Sequence, residues 1–296
     1  MPWTGAGVPL TSPQMYSAGF TDDIRVALMW ISKMYPHAPL LGVGFSLGAN
    51  VLTRYLAQEG DQSRLAAGCV LGCPWDLTAN SDRLESGPIL RIYSRGMAQN
   101  LSRVMARHSE ALENFQTPEL KDAMTALQAL KNPSLRDFDN AVTRVVGGSS
   151  PPFPFETAHH YYAWGSSHKL LCDVKVPLLA LNADDDPIVR VLPIDDGPDA
   201  LGPYVAFGVT RGGGHLGWFE QGSYWGHSKR WVAKPVVEWL RAMGNEMVHP
   251  RRNSKKLIEV DDFLKEEGGA NIGCKVVEGG GHIIGIEGEE GLLAGL

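Results

Sequence analysis

The sequence predicts an α/β fold: a mostly parallel sheet flanked by helices and interrupted once by a long helical insertion. Two observations carry this reading. An apolar run at 39–45, a helical pattern at 47–58 and a second apolar run at 65–73 follow one another within 35 residues. That is the spacing of a βαβ crossover, and hence of parallel strands. The strand signal then vanishes from about residue 83 to 157. It resumes at 176–182 and 203–210, ahead of a closing helical pattern at 230–243.

The elements follow in order. Gly5, Gly7, Pro9, Ser12, Pro13 and Gly19 make the first twenty residues rich in turns. Thr21 is the expected N-cap of a helix whose first turn carries Asp22 and Asp23, where the helix dipole favours negative charge. Ile24, Ala27, Leu28, Ile31 and Met34 give that helix one apolar face, and Pro36 ends it. The run Pro39–Phe45 reads as a buried strand, and Gly60 as the C-cap of the helix after it. Leu65–Cys73 reads as another buried strand, stopped by Pro74. In the insertion, Ile89, Leu90, Tyr93, Met97, Leu101, Val104, Met105 and Leu112 trace one helical face, with Arg91, Arg95, Arg103 and Arg107 among them. Further helical patterns lie at 118–130 and 138–146. The closing helix has Trp231, Val232, Val236, Val237, Leu240 and Met243 on its apolar side. After Pro250 come Arg251, Arg252, Lys255 and Lys256, and then a Gly- and Glu-rich tail expected to lack a core of its own. The expected organisation is a core at 1–82, a helical insertion at 83–165, a second core segment at 166–248 and a tail at 249–296.

Composition narrows the function classes. In 296 residues, 44% are hydrophobic and 20% charged, which is globular and excludes a mostly disordered or fibrous chain. The net charge of −6 leaves no obviously basic face, so nucleic acid is not an expected partner. Cys69, Cys73, Cys172 and Cys274 are too few for a disulfide scaffold and complete no zinc site. They read as buried free thiols of a reducing compartment. No cofactor or metal ion is expected. Met1–Gly7 has neither the basic nor the apolar region of a secretory leader. No run approaches the roughly 18 apolar residues of a membrane-spanning helix. The expected location is cytoplasmic, with association to membrane or lipid compatible with the substrate class below.

Gly44-Phe45-Ser46-Leu47-Gly48 fits G-x-S-x-G, with an apolar strand before it and a helical pattern immediately after. That context is what a nucleophile elbow needs: a serine on a tight strand-to-helix turn, exposed at the top of a sheet. Side chains at the flanking glycines are expected to collide with the neighbouring strand and helix. The helix start adds positive potential near Ser46, and the Leu47 N–H is the candidate oxyanion donor. A neutral hydroxyl needs a general base. Of nine histidines, His215 follows the last strand in Arg211-Gly-Gly-Gly-His215-Leu-Gly-Trp218, and glycines there free a loop to bring an imidazole over the serine. His282 in Gly279-Gly-Gly-His282 has a similar setting but lies in the tail, beyond the closing helix. The acid that orients the imidazole is sought at the end of the preceding strand. Asp184, Asp185 and Asp186 stand there; the spacing before Pro187 favours Asp186, with Asp185 the alternative. Three neighbouring carboxylates repel one another, so at least one must face water.

Taken in order, Gly19-Phe-Thr-Asp-Asp23, Gly44-Phe-Ser-Leu-Gly-Ala-Asn50, Tyr161-Tyr162, Asn182-Ala-Asp-Asp-Asp-Pro187 and Gly213-Gly-His215-Leu-Gly-Trp218 resemble an α/β-hydrolase family. That family holds fungal medium-chain fatty acid ethyl ester synthase/esterases, bacterial esterases and phospholipase-like abhydrolases. The resemblance spans roughly residues 5 to 245 and implies Ser46 as nucleophile, Asp186 as triad acid and His215 as base. It also implies esterase, acylglycerol lipase or acyl-transfer activity on medium-chain acyl esters or acylglycerols, a small-molecule acyl ester or lipid being the expected partner and the helical insertion an acyl-binding lid. Members of the family usually carry a far longer segment before the serine. The chain is therefore expected to lack the early strands, the loop with the second oxyanion donor and any N-terminal anchor, and to show an unpaired sheet edge. The competing expectation is a catalytically impaired remnant or interaction module.

Overall fold

The computed structural model describes residues 10, 12–115, 117–222, 228–248, 253–269 and 272–276. Along the chain run α1 (Asp22–Met34), β1 (Leu40–Phe45), α2 (Leu47–Glu59) and β2 (Leu65–Leu71). The helices α3 (Leu77–Glu85), α4 (Pro88–Arg107), α5 (Ser109–Glu113), α6 (Pro118–Ala129), α7 (Leu135–Phe138), α8 (Arg144–Val146) and α9 (Ala158–Gly165) follow. Then come β3 (Leu178–Ala183), β4 (Val205–Thr210), β5 (Phe219–Gln221), β6 (Ser228–Arg230), α10 (Ala233–Arg241), β7 (Leu257–Val260), β8 (Phe263–Glu266) and β9 (Gly273–Cys274). The chain divides into two compact units. One joins Leu77–Gly165 to the described part of Met1–Phe20, and the other is formed by Thr21–Asp76 and Ser166–Lys275.

The second unit is built on a four-stranded parallel sheet in the order β1-β2-β3-β4. Register levels the strand ends, with Phe45 beside Leu71, Leu71 beside Leu181 and Leu181 beside Gly208. Every residue of β2 is buried, as a strand covered on both faces requires. On one side of the sheet Leu52, Tyr55 and Leu56 of α2 pack with Val70, Trp75, Leu178 and Ala180. A second cluster joins Cys69, Leu71, Leu181 and Ala183 to Trp218, Val232, Val236 and Trp239.

Several expectations change here. β1 is not a buried strand: Val43 is 37% and Phe45 54% exposed, because β1 pairs with β2 along one edge and with no other described strand. Thr21 stands at the N-cap of α1 but its side chain does not cap the helix; its hydroxyl donates to Gln58 Oε1 at 2.5 Å instead. The closing helix is shorter than expected, since Ser228–Arg230 pairs with β5 and the α-helix ends at Arg241 in a π-turn, Ala242–Glu246. Val237 faces outward at 42% exposure. Part of the tail is structured: β7, β8 and β9 form an antiparallel sheet in the second unit. A buried Arg64–Glu266 ion pair at 2.8 Å ties this sheet to the residues before β2. Cys69 and Cys73 are buried, and burial pushes the Cys69 thiol up to about 12; Cys172, however, is exposed and Cys274 is half-buried.

The helical unit has its own core, in which Ala98 and Met105 of α4 meet Leu112, Leu120, Phe138, Val142 and Val146. The pattern from Ile89 to Leu112 is two helices, α4 and α5, with His108 at the end of one and the start of the next. Gly87 is extended at the N-cap of α4, and Pro88 fits a first helical position because its missing N–H would have no intrahelical partner. The buried face of α4 runs through Ser94, Ala98 and Met105, with Leu101 and Val104 packed against the same core, whereas Ile89 and Tyr93 are 71% and 43% exposed. The helical pattern at 138–146 is a composite of α7, a π-turn at Asp139–Thr143 and α8.

Candidate functional site

The carboxyl ends of β1, β2 and β3 and the loop after β4 bring the sequence-selected residues together within the second unit. Open parallel sheets characteristically bind ligands beyond these strand ends. Ser46 joins β1 to α2 with φ 48° and ψ −118°, a backbone that a residue with a Cβ rarely adopts. Its N–H donates to Leu71 O at 2.9 Å, and its carbonyl accepts from Ala49 N–H at 3.0 Å, so both ends of the turn are pinned. Gly44 is required by packing, since a Cβ there would lie 2.7 Å from Ala49 Cα and from the Gly48 carbonyl oxygen. Gly48 is not: a Cβ would meet nothing within 4 Å, which corrects the expectation that both flanking glycines avoid a collision.

Ser46 Oγ lies 2.8 Å from His215 Nε2, and His215 Nδ1 lies 2.8 Å from Asp186 Oδ2. A carboxylate can only accept, so Nδ1–H donates to Asp186 and the Nε2 lone pair is left to accept from the Ser46 hydroxyl. Asp186 is fully buried and the His215 side chain is 11% exposed. The other Asp186 oxygen accepts from Ile188 N–H at 2.8 Å and Val189 N–H at 3.0 Å, in a turn stiffened by Pro187. These two bonds hold the carboxylate at one angle, and through it the imidazole.

Asp185, the alternative acid, faces water and accepts from Gly214 N–H at 2.8 Å, so it grips the His215 loop instead of the ring. Asp184 is also exposed. One of the three carboxylates is therefore buried and two are hydrated, which relieves their repulsion. Leu47 opens α2; its N–H belongs to the first turn, where helix donors have no intrahelical partner. His282 lies outside the described residues.

Some residues take supporting roles that the sequence did not assign them. Gly72, at φ 59°, sits beneath the imidazole: a Cβ there would lie 2.9 Å from Leu216 Cδ2 and 3.5 Å from two His215 ring atoms. Its signal was a glycine directly after an apolar strand and ahead of Cys73-Pro74. Trp218 Nε1 donates to Thr210 Oγ1 at 2.8 Å, and its indole lies so close to Gly213 that a Cβ there would be 2.4 Å away. Asn182 accepts from Trp75 Nε1 at 3.0 Å, joining the end of β3 to the turn after β2. Among the described residues no group of three or more His, Cys, Asp or Glu side chains is placed to hold a metal ion.

A parallel sheet, a strained strand-to-helix serine and a Ser–Asp–His chain order around one hydrogen-bonded series decide the architecture. The chain is an α/β hydrolase by fold. Sequence comparison agrees. A monoacylglycerol lipase of Saccharomyces cerevisiae is 34% identical over 240 residues, covering 80% of this chain and 50% of the relative. An abhydrolase domain-containing protein of Dictyostelium discoideum is 33% identical over 240 residues, 79% of this chain and 56% of that one. A monoacylglycerol lipase of Homo sapiens is 29% identical over 242 residues, 80% and 56% respectively. The chain thus spans about half the length of these curated relatives. No family model matches it. As in the sequence, no described helix of this α/β hydrolase is long and apolar enough to cross a membrane.

Proposed function

We propose that the chain is a serine carboxylic-ester hydrolase acting on medium-chain acyl esters or monoacylglycerols, with Ser46 as nucleophile, His215 as general base and Asp186 as the group that orients it. The observation that carries the proposal is the hydrogen-bonded series from Ser46 through His215 to Asp186, with both links at 2.8 Å. The names of the relatives support the substrate class. Ser46 Oγ attacks the ester carbonyl while His215 Nε2 takes its proton. The Leu47 N–H and the start of α2 stabilise the negative charge that develops on the carbonyl oxygen. His215 returns the proton to the departing alcohol, leaving an acyl-Ser46 ester, and the Asp186 carboxylate steadies the imidazolium between the two transfers. Water then regenerates Ser46, with His215 again the base. An alcohol in place of water gives a new ester, which is the acyl-transfer arm of the proposal.

Acyl-chain recognition is assigned to the helical unit. Within it a groove of about 680 Å³ has Met105, Met124, Leu127 and Leu130 among its lining, together with polar groups such as Arg103 and Gln128. The experiment is labelling of the full chain with a fluorophosphonate, together with p-nitrophenyl octanoate and monoacylglycerol turnover with and without ethanol. Label on Ser46 with ester cleavage is expected, and ethyl ester formation in ethanol for the transfer arm. No labelling and no turnover would instead favour the non-catalytic reading.

A further inference from the structure

His215 stands in a turn whose backbone is strained at a residue that is not glycine. The Gly213 carbonyl accepts from both the Gly217 and the Trp218 N–H at 3.0 Å, which closes the chain around residues 214–217. Gly214 at φ 54°, Leu216 at φ 69° and Trp218 at φ 45° all lie in the left-handed region. Glycine takes that conformation freely, whereas a residue with a Cβ resists it. The loop is not short of glycine, since Gly212, Gly213, Gly214 and Gly217 surround the histidine. A left-handed leucine directly after His215 persists only because its surroundings hold it there. Those surroundings centre on Gly72. A Cβ on Gly72 would lie 2.9 Å from Leu216 Cδ2 and 3.5 Å from His215 Cε1 and Nδ1. Gly72 is itself tied to the sheet, its N–H donating to Leu181 O at 2.9 Å. Leu216 also packs against the buried cluster of Cys69, Leu71, Leu181, Ala183 and Trp218. The leucine and the imidazole therefore share one bare backbone position, the first anchored in the core and the second hydrogen-bonded to Ser46 and Asp186.

We infer that Leu216 is a positioning residue for His215: seated over Gly72, its side chain holds the left-handed turn that keeps the imidazole between Ser46 and Asp186. The inference rests on the proposed Ser46–His215–Asp186 reading and adds a residue that acts through the histidine. Asp185 holds the backbone before His215 by accepting from Gly214 N–H at 2.8 Å, and Leu216 holds the backbone after it by packing. Without the seat on Gly72, residue 216 relaxes to negative φ, and that rotation turns the peptide joining it to His215.

The test compares Leu216→Ala, Leu216→Met, Leu216→Ile and Gly72→Ala in the full chain, with p-nitrophenyl octanoate as substrate. Leu216→Ala should lower kcat roughly tenfold or more, as a displaced imidazole requires. KM should stay within about twofold, since the loss falls on the reacting geometry. Leu216→Met keeps the volume and an unbranched Cβ, and should hold kcat within about threefold. Leu216→Ile keeps the volume but branches at Cβ, which a left-handed backbone tolerates least, so it should fall with Leu216→Ala. A merely apolar filling role would accept isoleucine as readily as methionine. Gly72→Ala should also lose roughly tenfold or more, and the Gly72→Ala/Leu216→Ala double variant should be no worse than Gly72→Ala alone, because the contact is already gone. The second readout is the downfield proton resonance of the His215 Nδ1–H held by Asp186, assigned by its loss in His215→Ala. It should be kept in Leu216→Met and lost in Leu216→Ala and Leu216→Ile. Wild-type kcat in a folded Leu216→Ile, additive losses in the double variant, or the resonance persisting in Leu216→Ala would each overturn the inference. If Leu216→Ala does not fold, the methionine and isoleucine variants decide. A wild-type chain that shows the resonance but neither turnover nor fluorophosphonate labelling would sink the esterase reading alone, and the resonance in the variants would still judge Leu216.

Discussion

The turn that carries Ser46 and the loop that carries His215 meet at 2.8 Å, yet they are held by different physics. Ser46 is held by its own backbone and by contact: a ladder bond to Leu71, helix-start bonds from Ala49 and Asn50, and Gly44 pressed against Ala49. His215 is held by side chains borrowed from elsewhere. Asp186 fixes its ring, Asp185 grips Gly214, and the Trp218 indole is tied to Thr210 and packed into the space left by Gly213. A contact-held turn has little freedom to relax, so one added methyl is felt at once. A side-chain-held loop has several partners and should lose function in steps.

The largest effect removes the reacting groups themselves. Ser46→Ala and His215→Ala are each expected to lower kcat/KM on p-nitrophenyl octanoate by on the order of 10⁴-fold or more, because residues that act as a unit fail together. His282→Ala should leave the rate within a few-fold. A silent His215→Ala beside a dead His282→Ala would move the base to the tail and end the comparison.

Next come the two glycines of the elbow. Gly44→Ala puts a methyl 2.7 Å from backbone atoms that cannot move away cheaply. A stability loss of roughly 1–3 kcal/mol is expected, with a rate loss on the order of a hundredfold if Ser46 shifts by about 1 Å. Gly48→Ala meets open space on a helical backbone, so it should be neutral or stabilise by up to about 1 kcal/mol. Thermal melts and kcat of the two variants check this directly. Equal damage from both would mean that the elbow is held by something other than the Gly44 contact.

The loop should yield more gradually. Trp218→Phe keeps most of the ring but leaves Thr210 Oγ1 without its indole donor, a cost of about 1 kcal/mol. Asp185→Ala frees an exposed N–H at Gly214 and should cost less than that in stability. Both are expected to lower kcat several-fold with KM nearly unchanged, since the imidazole wanders while any acyl contacts stay. A larger loss for Asp185→Ala than for Gly44→Ala would reverse the ranking of the two devices.

This contrast also explains what could be read from the sequence. The elbow is local, so five consecutive letters and their flanking patterns announce it, and the parallel β1–α2–β2 unit with it. Asp186 and His215 follow because strand ends must deliver them in that order. Gly72 and the Trp218–Thr210 bond could not be read the same way, because their meaning depends on which residues the register lays side by side. The same holds for the tail. β8 gains its place through Glu266, buried against Arg64 some two hundred positions away, and no composition rule marks that pair. α4 shows a different limit: its exposed isoleucines keep helical spacing, and periodicity reports that a face exists without saying which side is covered.

The smallest effect on the rate lies in the helical unit. Its one described π-turn between α7 and α8 holds Asp139, fully enclosed, accepting from the Thr143 hydroxyl and from the Tyr162 hydroxyl, the latter at 2.6 Å. Burial raises its carboxyl to about 6, and the two hydroxyl bonds only partly offset this. The same burial, with the Asp139 charge nearby, pushes the Tyr16 and Tyr162 hydroxyls up. A carboxyl whose folded pKa lies above its unfolded value stabilises most below the unfolded value, and that contribution is lost as pH rises through about 6. A shift from the ordinary 3.8 to about 6 corresponds to roughly 3 kcal/mol, an upper figure for a buried site. The wild-type helical unit should therefore melt lower at pH 8 than at pH 5. Asp139→Asn should flatten that difference, because its amide keeps one acceptor for Thr143 and can donate to Tyr162 without ever charging. Asp139 is not a member of the Ser46–His215–Asp186 series, so esterase kcat at fixed pH should change little in the variant. A pH 5 to pH 8 melting difference that survives Asp139→Asn would place the titrating group elsewhere.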